Sequence, residues 1–557
     1  MSLWSMIADK VKEVLRKMIG ARTIEQTLKV APTISSQMEE AIQLWSDMYK
    51  NKAPWLREPT YSDPTRIVSL GLPALIASEK ARTALIELES EITTPVKTEE
   101  VDNPDYKEPV PDENGNIIPT AVPKTIIKET PTSNTERAQF LNEQYKRLKK
   151  KLRTQIEYGI AKGGLIIKPY VISHKSVKDS GAEKITYTIE FDFCQADCFY
   201  PLAFNSSGEI TEAAFLETVV KKDVIYRRLE YHKWESNRVS IVNKAYRSTN
   251  SQTDQDIQGV DLGQEVPLTE VPQWAELQPK TEIQNVEKPL FAYFKMPEAN
   301  IIDTTSPLGV SGYSRAVNLI KDADMQYSRL LWEYEGGELA IDIDRDALNF
   351  AEGIDTNGNP TSYSTLGHLQ RRLYRKVDLS SEGNTYEPFA PGLRDTSYLQ
   401  GLNAILMRIE DAVALSRGTL SDAAAEARTA TELKILKQRS YQSNADLQHA
   451  IQETIEAAIY AANVYCTLYK ITPEGEYEIS FEWDDSIIVD VDTELNKRIT
   501  LMQNGLTSKL ENRMWYFGET EKQAKEALDK INKESLQNAE QEGGWNNNGG
   551  WNNKEEQ

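Results

Sequence analysis

The sequence is poor in cysteine and has no long apolar run. Three cysteines in 557 residues, Cys194, Cys198 and Cys466, cannot build a disulfide framework, and their odd number fits a reducing cytoplasm. No stretch approaches about 18 uninterrupted apolar residues, so the sequence predicts no transmembrane helix. Charges interrupt every apolar run near the N-terminus, which argues against a secretory signal. The helical spacing there predicts a helix packed on the protein or on a neighbouring copy, with a membrane-surface helix as the alternative.

Motifs for nucleotide and metal chemistry are also missing. A nucleotide-driven motor needs the loop Gly-x-x-x-x-Gly-Lys-Ser/Thr, whose amides and lysine hold phosphates, and none is present. The Gly-x-Gly-x-x-Gly and His-Glu-x-x-His patterns are absent as well. The sequence therefore predicts no nucleotide-driven motor, no enzyme of these motif classes and no cofactor.

Acidic residues outnumber basic ones, and the net charge is −21. A protein that binds DNA tightly through its phosphates is normally basic, at least in its binding domain. The charge therefore argues against a factor that grips DNA. It is compatible with a passage in which DNA slides without sticking, and equally with acidity that only aids solubility.

Two cysteines in the string Cys194-Gln-Ala-Asp-Cys198 could supply half of a zinc site. Structural zinc takes four ligands, and no second Cys/His pair has a suitable spacing. His174 and His232 lie in separate strand-like segments. Two half-buried thiols are the ordinary interpretation, so the sequence predicts no metal.

Two carboxylate clusters could hold divalent metal for cleavage of a nucleic acid. In the first cluster, strand alternation places Asp342, Asp344 and Asp346 on one face. The members of the second cluster are Asp484, Asp485, Asp490 and Asp492. No lysine or histidine base is placed near the first cluster by the pattern. A solvated strand face is the favoured interpretation, and a metal-dependent nucleic-acid enzyme is the alternative.

The first 300 residues change character several times. Helical patterns are predicted from residue 35 to 49 and from Leu72 to Ile92, followed by seven prolines within residues 93–134 that predict an exposed loop or ragged hairpin. Helix resumes from Glu136 to Ile160 and carries the strongest basic cluster of the chain. The members of this cluster are Lys146, Arg147, Lys149, Lys150, Lys151 and Arg153. A solvated face is its default interpretation, with contact to DNA or an acidic neighbour as the alternative.

Residues 165–300 are predicted to be mainly β, with a polar looped middle at 248–288.

Long helical patterns dominate the second half. One runs from Ser314 to Glu335 and stops at two glycines, and a partner runs from Thr396 to Arg417. Between them, residues 338–392 read as a compact β- and turn-rich insert. A small-residue loop follows, and a helix then continues for about 40 residues, far beyond the average globular helix. The Asn/Trp/Gly-rich tail is predicted to be disordered.

Several strings in this order resemble the portal proteins of tailed bacteriophages, of the type found in phages of Gram-positive bacteria. They are Glu157-Tyr-Gly-Ile-Ala-Lys-Gly-Gly164, Phe199-Tyr-Pro-Leu202, Glu230-Tyr-His232, Gly309-Val-Ser-Gly-Tyr313 with the helix after it, Glu333-Tyr-Glu-Gly-Gly337, Arg428-Thr-Ala-Thr-Glu432, Ile487 to Glu494, Asn504-Gly-Leu-Thr-Ser-Lys509 and Gly518-Glu-Thr-Glu521. Portals are rings through which DNA enters and leaves the capsid. The Pro-rich insert and the tail depart from the family's pattern.

The resemblance implies an α+β portal-like fold with long stem and spine helices, a β-rich wing, a small β/turn-rich clip and a helical C-terminal crown. The implied regions are the wing at 1–310, stem helices at 311–337 and 393–417, the clip at 338–392, a tunnel loop at 418–428, the spine helix and wing strands at 429–492, the crown at 493–540 and the tail at 541–557.

The resemblance also implies the functional residues and partners. In the tunnel loop these residues are Arg417, Thr419, Ser421, Asp422, Glu426 and Arg428, and on the stem they are Arg315, Lys321, Arg329 and Arg408. The two arginines that bracket the loop are candidates for transient phosphate contacts, with helix-end capping or intersubunit pairing as the equal alternative. The implied partners are further copies in a dodecameric ring, non-specifically bound double-stranded DNA, the terminase large subunit, a head-completion or adaptor protein, and the major capsid and scaffolding proteins, with no membrane. The resemblance implies a location at the portal vertex of the virion, and in the host cytoplasm during assembly. A head-assembly scaffold without a channel is a further alternative for the function.

Overall fold

The computed structural model describes residues 33–59, 65–86, 88–104, 106, 125–177, 183–221, 224–248, 262–344, 351–354, 357–358, 360–363, 374–377, 386–422, 430–483, 491–519, 523–525 and 527–531. The chain forms two compact units, Met1–Glu482 and Trp483–Gln557. None of the described helices combines the length and the apolar character that a bilayer span requires.

Two helices open the described chain, α1 (Ser36–Tyr49) and α2 (Leu72–Leu85). The Ser35 side chain caps α1 by accepting a hydrogen bond from the Met38 amide. The helix predicted to continue to Ile92 is wrong at its end: α2 stops at Leu85. The next residues form strand β1 (Leu88–Thr93), in which exposed and more buried positions alternate, and β1 pairs with β18 (Glu478–Trp483). Period-2 alternation overrides the helical continuation there.

The Pro-rich segment contains a β-hairpin. Strands β2 (Val96–Asp102) and β3 (Thr125–Pro131) pair antiparallel along their full length, from Val96 opposite Pro131 to Asp102 opposite Thr125. The prolines of the segment are kept to the strand end and to positions outside the paired stretch, as expected because proline donates no ladder hydrogen bond. The predicted ragged hairpin is confirmed for these strands; residues 107–124 lie outside the described part.

The third helix, α3 (Glu136–Lys162), spans 27 residues. Its buried apolar positions Leu141, Tyr145, Leu148, Leu152 and Ile156 follow a helical period. It ends where Gly163 adopts φ 88°, as the double glycine predicted. Two members of the basic cluster make contacts within the chain. Lys149 Nζ donates to the Ser90 carbonyl at 2.7 Å, and Arg147 forms an ion pair with Glu190 at 3.1 Å.

Two antiparallel sheets follow. The larger has the order β10-β9-β8-β7-β6, with β11 also on β9, and the smaller has the order β12-β4-β5. Their strands are β4 (Gly164–Val177), β5 (Glu183–Gln195), β6 (Phe199–Phe204), β7 (Ile210–Lys221), β8 (Val224–Glu235), β9 (Arg238–Ser248), β10 (Gln264–Val266), β11 (Lys280–Gln284) and β12 (Ala292–Lys295). The predicted looped middle of 248–288 is wrong in part, because it contains β10, β11 and a 3-10 turn. Leu268, Val271 and Trp274 bury against Ala245 and hold this stretch on the sheet.

A buried ionic cluster joins the two sheets. Lys168 on β4 places Nζ 2.5 Å from Glu230 Oε2 on β8. The same carboxylate lies 3.0 Å from Arg228 and 2.7 Å from His232 Nε2. Lys168, Glu230 and His232 are all less than one-tenth exposed. A buried charge needs such partners, because an isolated one would be strongly destabilising.

Helices α4 (Val317–Gly336) and α5 (Asp395–Ala412) pack against each other. The insert between them contains a sheet of order β16-β13-β17 and a β14–β15 hairpin. Its strands are β13 (Ala340–Asp344), β14 (Ala351–Ile354), β15 (Pro360–Tyr363), β16 (Tyr374–Val377) and β17 (Tyr386–Phe389). β13 runs parallel to β16 and antiparallel to β17. The predicted β- and turn-rich insert matches this structure.

The second helix of the pair is shorter than predicted. α5 ends at Ala412 rather than at Arg417, and Ala414 adopts φ 57°. The Leu415 amide donates to the Glu410 carbonyl at 3.0 Å, which closes the helix in the manner of a Schellman turn. The left-handed position is filled by alanine instead of glycine, so the sequence carried no ordinary stop signal there.

A helix of 39 residues, α6 (Ala430–Leu468), agrees with the long helix predicted after the loop. It buries Leu447, Ile451, Ile455 and Ile459 on one face.

In the second unit, α7 (Val491–Gln503) and α8 (Lys509–Phe517) contact each other. Ser508 and Glu511 form a capping box at the start of α8. The Asn/Trp/Gly tail lies outside the described residues.

Candidate functional site

The segment after α5 is organised by one buried carboxylate. Glu410 is 0% exposed and lies in the last turn of α5. Its Oε1 accepts the amides of Gly418 at 3.1 Å, Leu420 at 2.6 Å and Ser421 at 2.9 Å. Its Oε2 accepts the Ser421 hydroxyl at 2.8 Å. Four donors from residues 418–421 therefore converge on a single side chain.

A second side chain of α5 holds the next residue. Asn403 Oδ1 accepts the Asp422 amide at 2.8 Å, and Asn403 Nδ2 donates to the Asp422 carbonyl at 3.4 Å. Asn403 and Glu410 are seven residues apart, which places them on the same face of the helix. Residues 418–422 consequently fold back along α5. In this described part of the loop, the backbone amides of residues 418, 420, 421 and 422 are paired with side chains of α5.

Arg417 is paired within its own chain. Its Nη2 lies 2.5 Å and its Nε 3.3 Å from the two carboxylate oxygens of Asp411, and both side chains are about two-fifths exposed. The predicted position at the end of a helix is wrong, since α5 ends five residues earlier. This pairing with Asp411 lies within one chain and so differs from the intersubunit pairing considered for Arg417, which stays a prediction. Thr419 donates its hydroxyl to the Ser416 carbonyl at 2.6 Å. Glu426 and Arg428 lie outside the described residues.

The basic residues predicted on the helix pair differ in their pairing. Arg315 Nε lies 3.8 Å from Glu298 Oε2, and Glu298 also holds the buried Lys80 at 3.1 Å. Burial lowers the pKa of Lys80 from its ordinary value, and Glu298 opposes that shift. Lys321, Arg329 and Arg408 are exposed, and within the described chain they form no ion pair. Three exposed charges of one sign therefore lie on α4 and α5.

The N-terminal segment is tied to α4 by a second set of buried polar groups. Asp324 is 2% exposed and accepts the Leu70 amide at 2.8 Å and the Trp55 indole N–H at 2.9 Å. One turn further along α4, the Ser328 hydroxyl accepts the Val68 amide at 3.0 Å and donates to the Asp324 carbonyl at 2.7 Å. Burial raises the pKa of Asp324 above its ordinary value, while the two donors act in the opposite direction.

The two cysteines considered as zinc ligands are free thiols, with Cys194 buried and Cys198 exposed. Burial raises the pKa of Cys194 to about 12. In the described residues, no group of three or more His, Cys, Asp or Glu side chains is arranged to hold a metal ion.

The carboxylate clusters are only partly within the described structure. Asp342 and Asp344 belong to β13, and Asp492 lies in the first turn of α7. Asp346, Asp484, Asp485 and Asp490 lie outside the described residues.

Glu410, Asn403 and Asp324 were not predicted from the sequence as functional residues. Each is a polar residue at a buried or half-buried position of an otherwise amphipathic helix. A signal was present for Glu410, which directly follows the apolar position Ile409 and precedes Val413 by three residues. Its partners could not be read from the sequence, because they are backbone amides that any residue type supplies.

Comparison with known proteins assigns the family. The model of the family described as phage portal protein, SPP1 Gp6-like, matches residues 40–541. Among curated proteins, none matches. The matched range contains the helix pair, its β insert, the segment held by Glu410, the long α6 helix and both helices of the second unit. Because the match covers nearly the whole chain, this protein belongs to the SPP1 Gp6-like family of phage portal proteins.

Proposed function

We propose that this protein assembles into a ring at one vertex of the capsid and forms the channel through which viral double-stranded DNA is packaged and ejected. The family is a structural one whose members take part in capsid assembly and DNA packaging. The observation that carries the proposal is the family match over residues 40–541, which includes both the helix pair and the loop after it. The ring has twelve copies in this proposal and resides in the virion, after assembly in the host cytoplasm.

The regions of the portal are proposed as follows. The wing comprises residues 1–310, the stem helices 311–337 and 393–417, the clip 338–392, the tunnel loop 418–428, the spine helix and wing strands 429–492, and the crown 493–540. The order of elements supports this division, since α4 and α5 flank a small separate sheet and α6 follows the loop. The clip is the proposed docking site for the terminase large subunit and later for a head-completion or adaptor protein. The major capsid and scaffolding proteins are the other proposed partners.

The proposed channel surface makes few strong contacts with DNA. Lys321, Arg329 and Arg408 are exposed and unpaired in the described chain, so they are the stem residues available to phosphates. Arg417 is already paired with Asp411, and the amides of residues 418, 420 and 421 are already bound by Glu410. The small number of free cations among the described stem and loop residues, on a chain of net charge −21, favours sliding over capture, because each fixed phosphate contact adds to affinity.

Electron microscopy of the purified protein tests the ring. Closed rings with a central hole are expected. Monodisperse monomers that do not assemble into closed rings when DNA and capsid proteins are added would favour a head-assembly scaffold without a channel. Cleavage of DNA that depends on divalent metal and is lost in Asp344→Ala would instead favour the enzyme.

A packaging assay tests the loop. Asp422→Lys, or an insertion that lengthens the 418–428 segment, is expected to leave rings intact and to reduce the amount of packaged DNA, because both changes alter how the loop meets the duplex. Glu40→Lys is the matched control, since Glu40 is exposed on α1 and the charge change is the same. Equal packaging by Asp422→Lys and the control would remove the basis for the loop assignment.

A further inference from the structure

The carboxylate of Glu410 occupies an anion-binding nest built from the loop. Three backbone amides and one hydroxyl of residues 418–421 reach its two oxygens at 2.6–3.1 Å. Backbone amides of neighbouring residues that converge in this way form a concave site for negative charge. Hydrogen bonds to an ionised acceptor are about twice as strong as neutral ones. The hydrogen bonds between the loop and Glu410 are therefore stronger than neutral hydrogen bonds between a loop and a helix would be.

The charge of Glu410 depends on the loop for its compensation. The side chain is fully buried, Ser421 is 7% exposed, and among the described residues no lysine, arginine or histidine forms an ion pair with Glu410. A buried carboxylate without partners is strongly unfavourable, so displacement of residues 418–421 would leave an uncompensated charge inside the protein. The helix and the loop stabilise each other through this one group.

The same residue also ends the helix. The Glu410 carbonyl accepts the Leu415 amide at 3.0 Å, which sets the left-handed turn at Ala414 and directs the chain back toward the helix. Its side chain then binds the returning chain, and Asn403 holds Asp422 about two turns earlier on α5. Backbone and side chain of Glu410 together determine where α5 stops and where the loop begins.

We propose that Glu410 is a positioning residue that fixes the start of the DNA-facing loop to the second helix of the stem. Residues 418–422 move with α5 as one body, so a shift or rotation of α5 is passed directly to the loop. The proposal rests on the proposed function only in calling the loop DNA-facing. The attachment itself does not depend on the presence of DNA.

Hydrogen exchange on the purified full-length protein tests the attachment, whether or not it forms rings. In the wild-type protein the amides of residues 418, 420 and 421 are expected to exchange slowly. In Glu410→Ala their exchange is expected to rise at least about tenfold, as the loss of a charge-assisted hydrogen bond implies. Glu410→Gln keeps one oxygen acceptor and is expected to be intermediate. Asp411→Ala is the matched control: it removes the Arg417 pair one residue away and is expected to leave the loop amides protected.

Two further measurements keep the test decisive. Exchange at the buried positions of α6 and ring formation by electron microscopy report whether a variant is folded. If Glu410→Ala does not assemble, Ser421→Ala takes its place, because it removes only the bond to Oε2 and is expected to increase exchange at residues 418–422 alone. Unchanged exchange in folded Glu410→Ala, or an equal increase in Asp411→Ala, would overturn the proposal.

DNA packaging by the same variants separates this inference from the proposed function. Faster loop exchange together with reduced packaging in Glu410→Gln supports both. Faster loop exchange with wild-type packaging supports the attachment and counts against a loop that meets DNA. Reduced packaging with unchanged loop exchange counts against the attachment, since the defect then arises elsewhere.

Discussion

Arg394 and Glu333 join the two long helices at the end nearest the β insert. The Arg394 Nη2 lies 2.7 Å from Glu333 Oε2 and its Nε lies 3.1 Å from Oε1, while the Arg394 amide also donates to Oε1 at 3.1 Å. Three donors of one residue thus bind one carboxylate. Such a two-pronged contact fixes direction as well as distance, so it holds the first turn of α5 in register with the last turn of α4.

Arg394→Ala is expected to lower the thermal midpoint of the purified protein at pH 7. The hydrogen bonds from Arg394 hold the pKa of Glu333 below its ordinary value. A lowered carboxyl pKa contributes stability above the unfolded-state pKa, and that stability is lost as pH falls through the folded-state pKa. The difference between wild type and variant should therefore shrink as the pH is lowered from 7 toward 3. Asp322→Ala, an exposed change on α4, is the control, and a difference that stays constant with pH would contradict the assignment.

Asp324→Ala is expected to cost about 2–6 kcal/mol of unfolding free energy, because two donors lose their acceptor and each stranded buried donor costs about 1–3 kcal/mol. The donors are the Leu70 amide and the Trp55 indole. Denaturant titration measures the loss, and hydrogen exchange at residues 68–70 should rise with it. Asp322→Ala again serves as the control, since it lies two residues away and faces solvent. A loss no larger than in that control would show that residues 55–70 are held by other contacts.

Lys168→Met should destabilise the β-rich region strongly. Burial opposes the charge of Lys168, but Glu230 more than offsets this and the pKa of Lys168 lies above its ordinary value. Removal of one partner from a buried ion pair typically costs about 3–5 kcal/mol, because the other charge stays buried without compensation. Denaturant titration of the variant measures the cost. Lys168→Met combined with Glu230→Gln should recover part of the loss, whereas an additive double variant would show that the two residues act independently.

The buried His232 predicts a dependence of stability on pH. Burial lowers the pKa of His232 from its ordinary value of 6.5, although Glu230 acts in the opposite direction. The unfolded chain therefore binds a proton at higher pH than the folded protein does, and stability should fall as the pH drops below about 6.5. Unfolding free energies measured from pH 7 to 5 should show a smaller slope in His232→Gln. His449→Gln, at an exposed position of α6, should keep the wild-type slope.

Gly309→Ala should be destabilising because two backbone segments meet there. A methyl group at residue 309 would lie 2.1 Å from the Gly163 carbonyl oxygen, which belongs to the turn that ends α3. Overpacking of this kind costs about 1–3 kcal/mol, since the backbone itself has to move. Thermal unfolding measures the effect. Gly392→Ala is the control, because a methyl group there meets nothing within 4 Å. Equal thermal midpoints for the two variants would show that the backbone at Gly163 can move away from the added methyl group without a loss of stability.

The spacing of hydrophobic residues and the positions of glycines in the sequence predicted much of the fold. The helices α3, α4 and α6, the strands around Gly164–Val177 and Val224–Glu235, and the β-rich insert follow from hydrophobic spacing and glycine stops, which are local properties. The end of α5 could not be predicted in this way, because Ala414 adopts a conformation that alanine rarely takes and tertiary contacts at Glu410 enforce it. Propensity is a weak guide wherever tertiary contacts override it.

The candidate site was predicted less completely than the fold. The loop residues Thr419, Ser421 and Asp422 do lie together beside α5, but the side chains that place them there, Glu410 and Asn403, were missed. Residue types alone do not reveal a carboxylate that binds backbone amides, since the amides are the same in every residue except proline. Contact of Lys321, Arg329 and Arg408 with DNA stays a prediction.

The pairing of β1 with β18 sets a condition on how the chain folds. The Ser480 hydroxyl donates to the Glu91 carbonyl at 3.2 Å, and the two residues are 389 positions apart. Closing so long a connection is entropically costly and slow, and it requires the distant segment to have been synthesised. During translation, β1 therefore waits as an unpaired strand edge until Glu478–Trp483 has left the ribosome. A chain truncated before residue 478 lacks the partner of this edge, so a newly made copy completes its first unit only after this distant strand has been synthesised.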